Sequence, residues 1–161
     1  MEKLTSLAEK VGRLLIERKQ TLAVSESSSG GLISASLLSI PGASTYFMGG
    51  CVIYTPRARE TLLEIDFKDH PGVRSSSEPY ALLAAKTIRA RLGTYWGLSE
   101  TVAAGPKGNR YGDATGHTCI AISGPVEQVI TLETGLSDRE ENMWLFAAKS
   151  LEFLEQTILQ D

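Results

Sequence analysis

The stretch Leu22-Ala23-Val24-Ser25-Glu26-Ser27-Ser28-Ser29-Gly30-Gly31 decides how this chain folds. Its apolar start predicts a short buried strand over residues 21–24, and a helical pattern begins directly after the glycine pair. A strand, a hydroxyl-rich turn and a helix in this order leave backbone N–H groups unpaired at the helix start. The segment is therefore either a serine N-cap with a glycine turn or a site where a serine receives an anion or attacks a carbonyl carbon.

Outward from this stretch, apolar spacing predicts alternating helices and strands. The Gly124-Pro125 turn joins the last two strands into an antiparallel hairpin, so the sheet is expected to be mixed. The predicted class is α/β, a three-layer α/β/α sandwich with a mixed β-sheet, forming a single domain over residues 1–161. Helices are expected at about 3–18, 32–39, 57–63, 77–92 and 138–159, the last capped by Ser137, and strands at 21–24, 46–54, 96–103, 117–123 and 128–133.

The amino-acid composition argues against several classes of binding partner. The chain is 42% hydrophobic and 22% charged, with a net charge of −3 and no stripe of Lys and Arg, which argues against nucleic-acid binding. The longest uncharged stretch, residues 27–56, is broken by Gly, Pro, Ser and Thr, so no membrane span is predicted. Cys51 and Cys119 lie in apolar segments, which suits buried thiols in the reducing cytoplasm. His117 and Cys119 are close in sequence, but no third possible metal ligand lies near them, so no metal site is expected.

Three segments stand where strand ends meet helix starts, which is where ligands bind in open α/β sheets. They are the serine turn at 25–31, the stretch Tyr54-Thr55-Pro56-Arg57-Ala58-Arg59, and Thr101 with the glycine-rich loop at 104–113. We expect them to converge on one pocket. The loop lacks the Gly-Lys-Ser/Thr ending of a phosphate-binding loop, which disfavours a nucleoside triphosphatase.

Five short motifs, in order along the chain, carry a resemblance to a known family. They are Glu26-Ser27-Ser28-Ser29-Gly30-Gly31; Pro41-Gly42-Ala43-Ser44 followed by Tyr46-Phe47-Met48-Gly49-Gly50; Tyr54-Thr55; Thr101-Val102-Ala103-Ala104-Gly105-Pro106; and Asp138-Arg139. Together they resemble the Glu-Ser-Cys-Thr-Gly-Gly, Pro-Gly-Ala-Ser…Tyr-Phe-x-Gly-Gly, Tyr-Ser, Thr-Gly-Ile-Ala-Gly-Pro and Asp-Arg motifs of the CinA C-terminal domain. That family includes nicotinamide mononucleotide deamidases.

The resemblance implies an α/β/α domain that associates as a homodimer and acts in pyridine nucleotide salvage. It implies hydrolysis of the carboxamide of a nicotinamide nucleotide, with release of ammonia and without a metal or cofactor. In that scheme Ser27 matches the nucleophile, Tyr54 the active-site tyrosine, Thr101 a residue that holds the oxyanion or amide, and Arg139 the arginine that completes the site. Substrate-binding positions are expected at Glu26, Ser28, Ser29, Gly30, Gly31, Gly105 and Lys107.

One departure from the family pattern concerns the proton acceptor. The family's catalytic lysine, five residues after the tyrosine, is Arg59 here, and the glycine after the threonine is Val102. A buried lysine can lose its proton and serve as a base for a serine, whereas arginine stays protonated.

Three interpretations follow from this departure. The chain is an amidohydrolase with another base, either Lys107 or Tyr54; or it is a nucleotide- or anion-binding regulatory module without hydrolysis; or Arg59 is an ordinary surface cation and the pocket is built differently. The cations that suit an anionic ligand in the second case are Arg57, Arg59, Lys107, Arg110 and Arg139.

Overall fold

A computed structural model describes residues 3–103 and 105–161. Every predicted helix and strand is present, and the ends either agree or shift by one or two residues when the π-helical turn after α3 is counted with that helix. The helices are α1 (Leu4–Arg18), α2 (Leu32–Leu38), α3 (Pro56–Ala58), α4 (Glu78–Leu92) and α5 (Arg139–Ile158), and the strands are β1 (Leu22–Glu26), β2 (Phe47–Val52), β3 (Trp96–Ala103), β4 (His117–Ser123) and β5 (Gln128–Glu133). Helix α3 continues into a π-helical turn, Arg59–Leu63, and the segment between this turn and α4 contains a 3₁₀ turn, Phe67–Asp69.

The five strands form one mixed sheet in the order β2-β1-β3-β4-β5. Strand β1 pairs in parallel with β2 and β3, whereas β3, β4 and β5 pair antiparallel. The predicted hairpin and the mixed sheet are therefore confirmed. Because β1, β2 and β3 are parallel, their carboxyl ends meet at one edge of the sheet.

Side-chain alternation separates the two helical layers. In β1, Leu22 and Val24 pack with α1, α2 and α5, while Ala23 faces α4. Small residues let α4 approach closely: a Cβ on Gly97 would lie 2.3 Å from the Ala85 carbonyl oxygen. The three-layer sandwich is confirmed.

Side chains cap the N-termini of both α4 and α5. Ser77, predicted as the first residue of its helix, is the N-cap of α4, and its hydroxyl accepts a hydrogen bond from the Tyr80 N–H. The prediction for α5 is wrong by one residue: Asp138, not Ser137, is the N-cap, and its carboxylate accepts from the Glu141 N–H at 2.7 Å. A carboxylate at this position also interacts favourably with the helix dipole.

Strand β2 is irregular beside its Gly49-Gly50 pair. Leu22 pairs with Phe47 but Ala23 pairs with Gly49, so Met48 is an extra residue that forms a bulge. The chain is approached closely at Gly50, where a Cβ would lie 2.8 Å from the Ser34 hydroxyl oxygen. Within the described part of the chain, no helix combines the length and apolar character needed to cross a bilayer.

Candidate active site

A cavity of about 100 Å³ lies where β1, β2 and β3 end. Ser27 directly follows β1, Tyr54 follows β2, and Thr101 lies near the end of β3. These three residues and Arg59 line the cavity together. The register that pairs Ser25 with Ser99 brings Ser27 and Thr101 to the same level of the sheet. The three segments singled out in the sequence thus meet at one place.

Arg59 is buried, with 7% of its surface exposed, and its guanidinium is held from several sides. Its Nε donates to the Ile65 carbonyl oxygen at 3.1 Å, and its Nη2 lies 3.4 Å from the Glu60 carboxylate. The guanidinium carbon sits 3.6 Å from the centre of the Phe67 ring, a cation–π contact. The interpretation of Arg59 as an ordinary surface cation is therefore wrong.

Tyr54 is 61% exposed and is tied to α5 rather than to Arg59. Nη2 of Arg139 donates to the Tyr54 hydroxyl at 3.0 Å, and Nη1 of Arg139 donates to the Gly105 carbonyl oxygen at 2.7 Å. A single guanidinium at the start of α5 therefore connects the segment after β2 with the loop after β3.

Thr101 is oriented by Ser76 in the wall of the cavity. The Ser76 N–H donates to Thr101 Oγ1 at 3.2 Å, which leaves the threonine hydroxyl hydrogen free to donate. Ser76 has a φ of 55°, a left-handed conformation that is unfavourable for a residue with a Cβ. His117 lies behind it, with Nε2 2.9 Å from the Ser76 carbonyl oxygen and Nδ1 2.9 Å from the Glu133 carboxylate. His117 therefore has structural contacts.

Glu26 lies on the other side of the serine turn and is fully buried. Its carboxylate accepts hydrogen bonds from the N–H groups of Gly31, Ile33 and Ser34, at 2.9–3.2 Å. These are the groups that the start of α2 leaves unpaired, and a carboxylate is the favourable occupant of that position. The expectation that Glu26 contacts substrate is corrected, because its oxygens face the helix.

Glu100 is a second buried carboxylate behind the same turn. Its Oε2 accepts from the N–H groups of Ser27 and Ser29 at 2.8 and 3.1 Å. The Ser29 hydroxyl lies 2.7 Å from Glu100 Oε2 and 2.9 Å from Glu26 Oε1, so Ser29 is also removed from the substrate side. Burial raises the pKa of Glu100, an effect that the hydrogen bonds from Ser29 and Ser27 partly offset. Glu100 Oε1 is fully enclosed and has no partner in the described chain.

The remaining predicted substrate-binding residues lie outside the cavity lining. Gly30 packs against α5, where a Cβ would lie 3.1 Å from the Met143 terminal carbon. Lys107 is exposed in the glycine-rich loop, of which Ala104 is outside the described residues. That these residues contact a larger ligand stays a prediction. They are Ser28, Gly30, Gly31, Gly105 and Lys107.

A larger cavity, of about 460 Å³, lies between α1, α2 and α5, and no predicted site residue lines it. Trp144 lines it and is 41% exposed, whereas Trp96 is fully buried. No group of three or more His, Cys, Asp or Glu side chains suited to a metal occurs in residues 3–103 and 105–161.

The sequence profile of the CinA C-terminal domain matches residues 4–158. This chain belongs to the CinA C-terminal domain family. Among curated relatives, a CinA-like protein of Trichodesmium erythraeum is 38% identical over 87% of this chain and 33% of its own length, and one of Cyanothece sp. is 37% identical over 96% and 37%. The chain thus spans about a third of the length of these CinA relatives.

Solved structures of the CinA superfamily share the fold. A competence-damaged protein (CinA) superfamily protein from Klebsiella pneumoniae superposes with a TM-score of 0.93 at 19% identity, over 99% of this chain and 100% of its own. The competence/damage inducible protein CihA from Agrobacterium tumefaciens gives 0.87 at 23% identity, over 98% and 96%. At these identities the likeness concerns the fold alone.

Three residues that sequence reasoning missed shape this site: Ser76, Tyr80 and Glu100. In the sequence, Tyr80 cannot be told from a core-facing residue of α4, and Ser76 cannot be told from a loop residue before a helix cap. Only Glu100 carries a signal, because a lone acidic residue inside the apolar strand β3 needs buried partners.

Proposed function

We propose that this chain is an amidohydrolase-type domain that binds a nicotinamide nucleotide with its carboxamide in the cavity, and that Ser27 attacks the amide carbon. The observation that carries the proposal is that Ser27, Tyr54, Arg59 and Thr101 line one cavity. The family resemblance supplies the substrate class. Thr101 has a free hydroxyl hydrogen with which to donate to the amide oxygen. Arg139 anchors the Tyr54 hydroxyl beside it.

Proton removal from Ser27 limits this reaction. Among the described lining residues there is no Lys, His, Asp or Glu, and Arg59 stays protonated. Lys107, the alternative base, is exposed in its loop and lies outside the lining. Tyr54 remains the alternative; it lines the cavity, and its hydroxyl accepts a hydrogen bond from Arg139. We therefore expect turnover roughly 10²–10⁴-fold below that of a site with a lysine base.

The absence of an amine or imidazole from the described lining favours a second candidate function. In it the chain is a binding or regulatory module that recognises the nucleotide and does not hydrolyse it. Arg59 and Arg139 supply fixed positive charge for an anionic ligand.

One experiment separates the two candidates. Purified protein is incubated with nicotinamide mononucleotide, ammonia release is followed by a coupled assay, and Ser27→Ala serves as the control. Release above the Ser27→Ala level supports the hydrolase. Saturable binding by calorimetry without release supports the module, and neither binding nor release overturns both.

A further inference from the structure

Tyr80 is a buried phenol that the family resemblance does not assign to the site. It lies in the first turn of α4, lines the cavity with 6% of its surface exposed, and packs edge-to-face on Phe67 with ring centres 5.2 Å apart. Its hydroxyl makes no hydrogen bond with any described residue, which is unusual for a buried tyrosine. In the described chain, Glu100 Oε1 is the one fully enclosed polar side-chain atom that lacks a hydrogen-bond partner. The Tyr80 hydroxyl also lacks a partner but is not fully enclosed, so it borders the cavity.

The Tyr80 hydroxyl acts as a hydrogen-bond donor at neutral pH. Burial raises the pKa of Tyr80 to about 12, although the nearby Arg59 guanidinium lowers it in part. The phenol therefore keeps its proton under ordinary conditions. Its ring is held by an edge-to-face contact with Phe67, which also contacts the Arg59 guanidinium.

Arg59 adds further donors to the same cavity. Its Nε and Nη2 have protein acceptors, but no described residue accepts from its Nη1. The Thr101 hydroxyl hydrogen is free as well. The lining thus offers a phenol, a guanidinium and a threonine hydroxyl as donors. No described carboxylate or imidazole lines the cavity with them, and the Glu60 carboxylate contacts only Nη2 of Arg59.

We infer that Tyr80 and Arg59 form a carboxylate-recognition site, so that the cavity binds a pyridine carboxylate more tightly than the matching carboxamide. A carboxylate has two acceptor oxygens and no donor, which matches a donor-rich lining, and its charge strengthens each hydrogen bond. A carboxamide also presents two N–H donors, for which the side chains of the lining offer only hydroxyl acceptors. Tyr80 is then a specificity-determining residue. This inference rests on the proposed function for the pyridine ring, and it predicts that the acid product is retained.

The test uses two pairs of probes that differ only in this group. Nicotinate and nicotinamide test the carboxylate preference, and nicotinate mononucleotide and nicotinamide mononucleotide test the nucleotide. Dissociation constants are measured by calorimetry on wild type, Tyr80→Phe and Tyr95→Phe. Tyr95 is a matched control because it directly precedes β3, at the end of that strand opposite to the cavity. Its exposed hydroxyl is hydrogen-bonded to the Asp161 carboxylate.

In wild type we expect the acid of each pair to bind at least about tenfold more tightly than the amide. Tyr80→Phe should reduce that ratio about three- to tenfold with an unchanged thermal unfolding midpoint, and Tyr95→Phe should leave the ratio unchanged. Equal binding of acid and amide, or a ratio that Tyr80→Phe does not alter, overturns the inference and leaves the proposed function standing. Discrimination between the free acids and amides with no binding of either nucleotide supports the inference and overturns the proposed function.

Discussion

Serine has opposite roles on the two sides of the serine turn at 25–31. On the cavity side, Ser27 lies half-buried beside Arg59 and Thr101, facing open space. On the inner side, Ser29 is fully buried and its hydroxyl lies between the carboxylates of Glu26 and Glu100. The chemistry open to each serine thus depends on which hydrogen-bond partners its hydroxyl already has. A serine-rich motif therefore contains both reactive and structural positions.

The same contrast applies to the backbone of this turn. The inner carboxylates accept from the N–H groups of Ser27, Ser29 and Gly31, so these donors are not available to a substrate. Within the described chain, Ser28 has the one N–H of residues 27–31 that no protein acceptor takes. The turn therefore resembles an anion-binding loop whose anions are supplied by the protein itself.

The largest expected effect concerns the cavity side. Arg59→Lys restores a side chain that can lose its proton in a buried setting, so ammonia release from nicotinamide mononucleotide should rise roughly 10²–10⁴-fold. The measurement is steady-state release with saturating substrate.

Two variants control this experiment. Arg57→Lys makes the same change at an exposed position on the same helix and should leave the rate unchanged. Adding Ser27→Ala to Arg59→Lys should abolish the gain. If Arg59→Lys folds and releases no more ammonia than wild type, Val102 or the loop has also reshaped the cavity, and the comparison fails on that side.

The inner side should be sensitive in stability rather than activity. Glu26→Ala leaves the N–H groups of Gly31, Ile33 and Ser34 without acceptors, and the free energy of unfolding should fall by roughly 3–5 kcal/mol. Urea unfolding followed by circular dichroism measures this change. Ser28→Ala, in the same turn, should change stability by less than about 1 kcal/mol. A loss below about 1 kcal/mol for Glu26→Ala would show that the inner carboxylate does not hold the turn.

A smaller effect is expected in the pH dependence of stability at Glu100. Its pKa is higher in the folded protein than the ordinary value of 4.5, so on raising the pH the unfolded chain loses this proton first. The free energy of unfolding therefore falls as pH rises from about 4.5 through the raised folded value.

Glu100→Gln has no proton to lose there and removes this contribution. As the pH rises above about 4.5, wild type should lose stability relative to the variant. Urea unfolding of both proteins at several pH values measures the difference, and other titrating groups are common to both. Parallel pH profiles would mean that Glu100 ionises in the folded state as readily as in the unfolded chain.

Much of this arrangement follows from sequence because it depends on local periodicity. Apolar spacing predicts the strands and helices, and the meeting of Ser27, Tyr54 and Thr101 follows from parallel strands that end at one edge. Tyr80 and Glu100 could not be assigned in the same way. Their partners lie 13 or more residues away in sequence, and only packing brings Tyr80 to Phe67 and Glu100 to Ser29.

The extra residue in β2 sets which side chain reaches the cavity mouth. Side chains alternate between the faces of a strand, so one inserted residue inverts the phase of all that follow. Downstream of Met48, Ile53 is buried and Tyr54 projects outward to Arg139. If Met48 instead paired regularly with Ala23, every later residue would shift by one position, and Ile53 rather than Tyr54 would be directed toward Arg139.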